Sequence, residues 1–217
     1  MELSNLGVFI LVAVIVLLLA AYALGIEHNV RKGHKAMGWI REGLPLVGEK
    51  TTLRWLGSSV VELKIEKAKD PFRNAEVLVV LEPRDVPFMW LITRRQGRRD
   101  MILFRAQLRA APRFDLEAAL PNAWNVNRHP NAEAKLSVVQ GSVANNMRAE
   151  MRGDISLASI NSLITRGAQS GTALMRLSVR RAVPNLEVHY RLPKESFDGA
   201  PGFFKNLRAL SEMILDT

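Results

Sequence analysis

Four closely spaced arginines are the residues whose type and spacing could do chemistry: Arg94, Arg95, Arg98 and Arg99. They flank Gln96-Gly97, a dipeptide that permits a turn. A guanidinium is always charged and presents its donors as a planar fork, so each arginine could bind a phosphate through two hydrogen bonds. The phosphate would belong to RNA or to an anionic lipid headgroup. The alternative is a solvated arginine-rich loop.

The overall charge favours such a partner. The chain of 217 residues has 30 lysines and arginines against 21 acidic residues, which gives a formal net charge of +9. An excess of this size attracts nucleic acid or an acidic membrane surface. Basic residues also solvate the surface of a protein and hold it on the cytosolic side of a membrane, so the charge alone does not choose a partner.

The residue types that usually carry out catalysis do not form a set. The four histidines, His28, His34, His129 and His189, are scattered, and we expect His189 to lie on the exposed face of a strand. The chain has no cysteine, so it has no thiolate nucleophile, cysteine zinc cluster or iron–sulfur site. The sequence therefore predicts no cofactor, no metal site and no small-molecule substrate. It favours a protein that is not an enzyme, with an anchored hydrolase as the weaker alternative.

An uncharged apolar run over residues 6–26 predicts a transmembrane helix after a short exterior N-terminus, residues 1–5. A bilayer core needs roughly 20 apolar residues in a helix, and this run is long enough. The alternative is a cleaved signal peptide, for which Ala21-Tyr22-Ala23 resembles a cleavage site. Residues 1–5 lack the lysine or arginine that a signal peptide needs, so the sequence favours a permanent anchor.

A basic juxtamembrane segment, residues 27–50, follows the apolar run. Its basic residues predict a single-pass membrane protein with its N-terminus outside and its C-terminal domain in the cytoplasm. Arg31, Lys32 and Lys35 are candidate headgroup contacts, and Trp39 is a candidate interfacial anchor, if this segment is a helix lying in the headgroup layer. The alternative is a plain helical extension of the transmembrane helix.

Residues 51–217 predict one cytosolic domain of the α+β class, with mainly antiparallel strands and a C-terminal helix. Alternating or continuous apolar patterns predict strands over residues 59–67, 75–81, 88–93, 173–181 and 186–192. The C-terminal helix is indicated by apolar residues at helical spacing: Phe203, Leu207, Leu210 and Ile214.

The pattern of the remaining segments is less decisive. Residues 94–109 fit either a hairpin with the arginines at its tip or a turn followed by a helix that begins at Asp100. Residues 112–130 predict a loop-rich stretch. Residues 132–143 favour a strand with a turn at Gln140-Gly141, and residues 147–166 mix helical spacing with breaks.

The order of these features resembles that of calumin-type endoplasmic-reticulum membrane proteins, the coiled-coil-containing subunit of the PAT intramembrane chaperone complex. The resemblance is carried by short words after the membrane helix: Arg31-Lys32, Trp39, Leu46-Val47-Gly48-Glu49, Trp55-Leu56-Gly57-Ser58, the turn at residues 82–88 and the strand at residues 186–193. The charged coiled-coil tail of that family, which implies ribosome contact, and its acidic lumenal region have no counterpart in this sequence.

The resemblance implies a cytosolic α/β domain held near the translocation site, which assists the insertion of multi-spanning membrane proteins. It implies no catalytic residue. The expected partners are the lipid bilayer and another membrane protein, with ribosomal RNA or anionic headgroups at the arginines. The alternative function is a generic membrane-tethered scaffold that binds another membrane protein through its sheet or its final helix.

Overall fold

The computed structural model describes residues 3–121, 136–193 and 199–217, with side chains from residue 6 onward. Helix α1 spans Leu3–Gly43 without a break, and a short 3₁₀ turn over Leu44–Leu46 follows it. The predicted boundary between residues 26 and 27 is therefore not a structural boundary. The juxtamembrane segment is the plain helical extension, because its helix continues the axis of the apolar run. Residues 1 and 2 of the predicted exterior segment lie outside the described residues.

The part of the chain that the structure describes contains nine strands and three further helices. The strands are β1 (Thr51–Trp55), β2 (Val60–Ile65), β3 (Phe72–Val80), β4 (Met101–Leu108), β5 (Asp115–Ala119), β6 (Ser137–Val138), β7 (Arg148–Arg152), β8 (Leu174–Val179) and β9 (Leu186–Arg191). The helices are α2 (Pro87–Arg95), α3 (Leu157–Ala168) and α4 (Ala200–Asp216). The predicted α+β class, with an N-terminal apolar helix and a C-terminal helix, is confirmed.

The strands form one antiparallel sheet in the order β1-β2-β3-β4-β9-β8-β5-β7-β6. Its first face carries the main core, on which the second half of α1 packs together with α3 and α4. The predicted periodicity of α4 is confirmed, since Phe203, Leu207, Leu210 and Ile214 are all buried in this core. The second half of α1, α3 and α4 therefore cover the sheet with their apolar residues.

The strand predictions over residues 59–67, 75–81, 173–181 and 186–192 correspond to β2, β3, β8 and β9. In β2, Val61, Leu63 and Ile65 face the core as their alternation predicts. β3 lies between β2 and β4, which agrees with its nearly continuous apolar sequence.

The strand predicted over residues 88–93 is wrong, because these residues belong to helix α2. Pro87 occupies the first turn of this helix, where its fixed φ and missing N–H are compatible with helix. The apolar residues of α2 point away from the protein, so the sequence lacks the polar outer face that would have indicated a helix.

Residues 94–109 follow neither prediction in full. The arginines lie at a turn between a helix and a strand, and the alternation of Ile102, Phe104, Ala106 and Leu108 belongs to β4. A helix starting at Asp100 is wrong, because this carboxylate is engaged by distant cations instead of capping a helix.

Three less decisive stretches also differ from the predictions. Within residues 112–130, Asp115–Ala119 form β5, and residues 122–130 lie outside the described residues. Of the strand predicted over residues 132–143, the structure shows only the short β6, and residues 132–135 are likewise outside. Residues 147–166 divide into β7 and most of α3, which explains why their pattern was mixed.

Candidate functional site

The predicted arginine cluster lies between α2 and β4, and most of it is engaged within the protein. Arg94 Nη1 donates to Oε2 of Glu82 at 3.1 Å, and its guanidinium lies 5.3 Å from the centre of the Trp90 ring. Arg98 is half-buried and donates to the Leu81 carbonyl at 3.4 Å. Burial lowers the pKa of Arg98, because it penalises the charged form. These two side chains brace the turn.

Arg99 and Arg95 complete the cluster. Arg99 Nη1 donates to the carbonyls of Arg94 and Arg98, at 2.8 and 2.6 Å. Arg95 is exposed in the last turn of α2, and its side chain has no hydrogen bond or ion pair with another described residue. The sequence predicts correctly that four arginines meet at one turn, but Arg95 is the most accessible of them to an external phosphate.

The predicted basic contacts of the juxtamembrane segment separate into two groups. Arg31 pairs with Glu27 one turn earlier, and both side chains are exposed; Lys35 is exposed as well. The side chains of Arg31 and Lys35 are both exposed, and their contact with headgroups stays a prediction. Lys32 is not exposed, because its ammonium is mostly buried against the carboxylate of Asp100.

Trp39 requires a correction, because its predicted role as an interfacial anchor is wrong. It is 4% exposed and packs on Phe203 of α4, with ring centroids 5.2 Å apart. α1 turns this face toward the core, where Ile40 is also buried. A tryptophan in this position stabilises the packing of α1 on the domain and does not reach the headgroup layer.

The sequence does not indicate the most highly organised site in the structure, which we call the junction: Asn29, Lys32, Glu82, Arg84 and Asp100. Arg84 donates two parallel hydrogen bonds to the Asp100 carboxylate, each of 2.9 Å. Lys32 Nζ donates to Oδ2 of the same carboxylate at 2.6 Å, and the Glu82 amide donates to Oδ1 at 2.7 Å. One carboxylate thus connects α1, the segment after β3 and the start of β4.

The protonation of Asp100 follows from these contacts. Burial alone would raise the pKa of this carboxyl, but the hydrogen bonds from Arg84, Lys32 and the Glu82 amide outweigh it. The pKa falls from 3.8 to about 2. Asp100 is therefore charged at neutral pH, where it neutralises two cations that are themselves largely removed from water.

Asn29 and Glu82 extend the junction. The fully buried amide of Asn29 donates to the Glu82 carbonyl at 3.0 Å and accepts from Arg84 Nη1 at 3.1 Å. The Glu82 carboxylate is buried as well and accepts from Trp90 and Arg94 of α2. The junction therefore connects α1 to α2 through one residue, Glu82, whose carbonyl binds α1 and whose carboxylate binds α2.

Two glycines of α1 allow this close packing. A Cβ at Gly25 would overlap the backbone carbonyl of Arg84, and a Cβ at Gly33 would meet the far end of the Trp55 ring. Gly25 lies one turn before Asn29 on the same side of the helix, so the contact extends from the end of the apolar run into the junction. Glycine at position 25 thus permits a close approach of two backbones that any side chain would prevent, and glycine at position 33 leaves room for the Trp55 ring.

The second face of the sheet holds a buried charged cluster on β4, β5, β8 and β9: Arg105, Glu117, Arg176, Glu187 and His189. Glu187 accepts from Arg105 Nε at 2.8 Å, and its other oxygen lies 2.7 Å from His189 Nε2. Arg176 bonds both Glu117 and Glu187. Burial would raise the pKa of Glu187, but the bonds from His189 and Arg105 lower it to about 2.

His189 is 1% exposed, so the expectation that it lies on a surface is wrong. The polar residues of β9 alternate with apolar ones as predicted, but the neighbouring strands of the sheet bury the polar face as well. The cluster consists of paired cations and anions, and no group of metal-ligating side chains is present among the described residues.

A small depression of about 10 Å³ in the described surface borders Asp100 of the junction, beside Arg99 and Met101. An open depression of about 350 Å³ lies beside α3 and α4. Its lining includes Asn161, Thr165, Arg166 and Met213, which offer no acid–base pair.

Comparison with known proteins assigns no function. No protein-family model matches the chain, and no curated protein matches its sequence. The helix near the N-terminus is long and apolar enough to span a membrane, which is consistent with a membrane anchor.

Proposed function

We propose that the chain is a single-pass membrane protein whose sheet domain is a non-enzymatic accessory factor. The domain faces the cytosol and binds another membrane protein during the insertion of multi-spanning proteins. The observation that carries this proposal is the junction, because it fixes the domain on the helix that would cross the bilayer. An enzyme tethered to a membrane needs only a flexible linker, whereas a scaffold must present its surface at a fixed height and angle.

Two surfaces support a partner of this kind. The first half of α1 is exposed on all sides in the described structure, so its apolar side chains are available to lipid or to another helix. Among the strands that the structure describes, β1 is an edge strand that pairs only with β2, and its side chains are mostly exposed. An edge strand can bind an extended segment of another protein through its free backbone groups.

β1 is also held beside α1. The Trp55 ring, at the end of β1, meets the His34 ring edge-on with centroids 5.4 Å apart and covers Gly33. A partner bound along β1 would therefore stand at a fixed distance from the bilayer. The orientation follows from the basic residues that flank the apolar run, and the insertion role rests on the resemblance to calumin-type proteins.

Site-specific photocrosslinking of the full chain in its membrane tests the partner. A photoreactive side chain at Leu53, which is exposed in β1, is expected to yield a discrete polypeptide adduct that survives high salt. The matched control places the same side chain at Val183, an exposed residue in the β8–β9 turn. Lack of a Leu53 adduct, or the same adduct from Val183, would overturn the edge-strand interface.

Ribosome co-sedimentation tests the RNA alternative. Contact through phosphates predicts co-sedimentation that falls steeply with salt and is lost when Arg94, Arg95, Arg98 and Arg99 become alanine. We expect co-sedimentation to be insensitive to these changes, since most of the cluster already has partners within the protein.

In cells that lack the chain, the insertion of multi-spanning proteins should decline. Unchanged insertion would refute that part of the proposal.

A further inference from the structure

Helix α2 exposes the face that a surface helix normally buries. Its large outward side chains are apolar, and Phe88 is 75% exposed. The others on this face are Met89, Leu91 and Ile92. The inward face carries Trp90 and Thr93, which bond to the Glu82 carboxylate and to the helix backbone. A contiguous apolar patch of this kind marks a surface that is covered when the protein functions.

The position of α2 relative to α1 indicates what covers the patch. The backbone of Arg84 and Asp85, just before α2, touches Gly25 of α1. The last turn of α2 is held by Glu82, whose carbonyl binds Asn29 of α1. Gly25 and Asn29 are four residues apart, about one helical turn and about 6 Å along the axis. Both ends of α2 are therefore tied to α1 at the level where the apolar run stops.

We propose that α2 is an interfacial helix that inserts Phe88, Met89, Leu91 and Ile92 into the boundary between headgroups and acyl chains of the bilayer. This inference rests on the proposed membrane span of α1. An amphipathic helix lies at this depth when its apolar face enters the acyl boundary and its basic residues remain among the headgroups. The span and α2 would then form one continuous apolar surface.

The charges around α2 fit an anionic bilayer. Arg95 is exposed at the end of the apolar face, where its long stem can lie along the acyl chains while the guanidinium reaches a phosphate. Arg31 and Lys35 of α1 are exposed within three turns of Gly25. A protein partner would not need both an apolar face at this height and cations beside it, so the bilayer is the occupant that these observations favour.

Depth measurements on spin labels test the proposal in the full chain. The protein has no cysteine, so single labels can be attached at Phe88→Cys, Val14→Cys and Val183→Cys without background. Val14 lies within the apolar run, and Val183 lies in the β8–β9 turn, at the end of the sheet away from α2. The protein is placed in phosphatidylcholine vesicles with and without phosphatidylglycerol, and collisions with oxygen and with a water-soluble nickel complex are measured.

The proposal predicts that the Phe88→Cys label loses most nickel collisions and gains oxygen collisions, as a label in lipid does. The Val183→Cys label should remain accessible to nickel. A Phe88→Cys label as accessible as that at Val183, with the Val14→Cys label deep, would overturn the interfacial helix and leave the membrane span intact. Loss of collisions with both reagents at Phe88 would indicate a protein cover and would also overturn it. A Val14→Cys label open to nickel would refute the span itself.

A charge variant tests the lipid contact separately. In Arg95→Gln, the Phe88→Cys label should regain nickel collisions, and the change should be larger in vesicles that contain phosphatidylglycerol. Arg73→Gln, at an exposed position in β3, is the matched control and should have no effect. An equal effect of the two variants would contradict a local headgroup contact at α2.

Discussion

Lys32 Nζ lies 2.6 Å from Oδ2 of Asp100, and this ion pair joins α1 to the residue that precedes β4. The two residues are 68 positions apart in the chain. Because Arg84 and the Glu82 amide bind the same carboxylate, neither α1 nor the turn before β4 can shift without disturbing the other. This shared carboxylate explains how α1, whose first half is apolar and exposed, can hold the sheet domain in a fixed position.

Replacing Asp100 with asparagine should destabilise the domain. Asp100→Asn keeps the shape but leaves Lys32 and Arg84 without their counter-charge in a largely buried site. We expect a loss of about 3 kcal/mol in the free energy of unfolding, which for a domain of this size lowers Tm by roughly 6–12 °C. Thermal unfolding in detergent measures the shift in Tm. Asp70→Asn, which removes an exposed pair with Arg109, should leave Tm unchanged; equal shifts would contradict a special role for the junction.

Acid should release the same contribution to stability. The pKa of Asp100 is lower in the folded protein, about 2, than its ordinary value of 3.8. Unfolding therefore takes up a proton in this range, and the contribution of Asp100, full above pH 4, is lost as the pH falls toward 2. We expect Tm to fall more steeply over this window in the unmodified protein than in Asp100→Asn. Parallel curves would show that Asp100 is not the group that titrates.

Local patterns predict the strands and the final helix well, and fail where tertiary contacts decide. β2 and β9 alternate over consecutive residues, and α4 repeats over four turns, so a short window contains the signal. The periodicity of α2 does not indicate a helix, because its apolar residues face outward while Trp90 faces inward and donates to Glu82, eight positions earlier in the chain. Apolar spacing does not show which side of a helix faces the protein.

The candidate site shows the same division. The four arginines were found because they are adjacent in sequence, although their partners could not be predicted. Asp100 was recognised only as a possible helix cap, since its cations come from Lys32 and Arg84, at 68 and 16 positions of separation. Trp39 was placed at the membrane surface because its basic neighbours suggested an interface, whereas the helix buries it against Phe203.

Removing the charge of Glu187 should destabilise the buried charged cluster. Glu187→Gln leaves Arg105, Arg176 and His189 with one anion fewer on the second face of the sheet. We expect a loss of about 3 kcal/mol in the free energy of unfolding, measured by thermal unfolding in detergent. Glu49→Gln, in an exposed pair with Lys69, is the matched control and should leave Tm unchanged.

If Glu187→Gln leaves Tm as unchanged as its control Glu49→Gln does, water reaches the cluster freely. Hydrogen exchange of the β9 amides gives an independent readout. Protection should fall in Glu187→Gln across β9 and its neighbours β4 and β8, because the cluster spans these strands. A loss of protection confined to the chain ends would argue against a contribution of the buried charged cluster to the stability of the sheet.

Adding one methyl group at Gly25 should separate the apolar half of α1 from the domain. A Cβ there overlaps the Arg84 carbonyl, which is backbone and cannot move aside as a flexible side chain can. We expect Gly25→Ala to cost about 1–3 kcal/mol of unfolding free energy and to increase nickel collisions at a Phe88→Cys label. Gly38→Ala has open space at its Cβ and should be neutral or stabilising by up to about 1 kcal/mol, through helix propensity. If Gly25→Ala behaves like Gly38→Ala in both measurements, the close approach of α1 to Arg84 is not what positions α2.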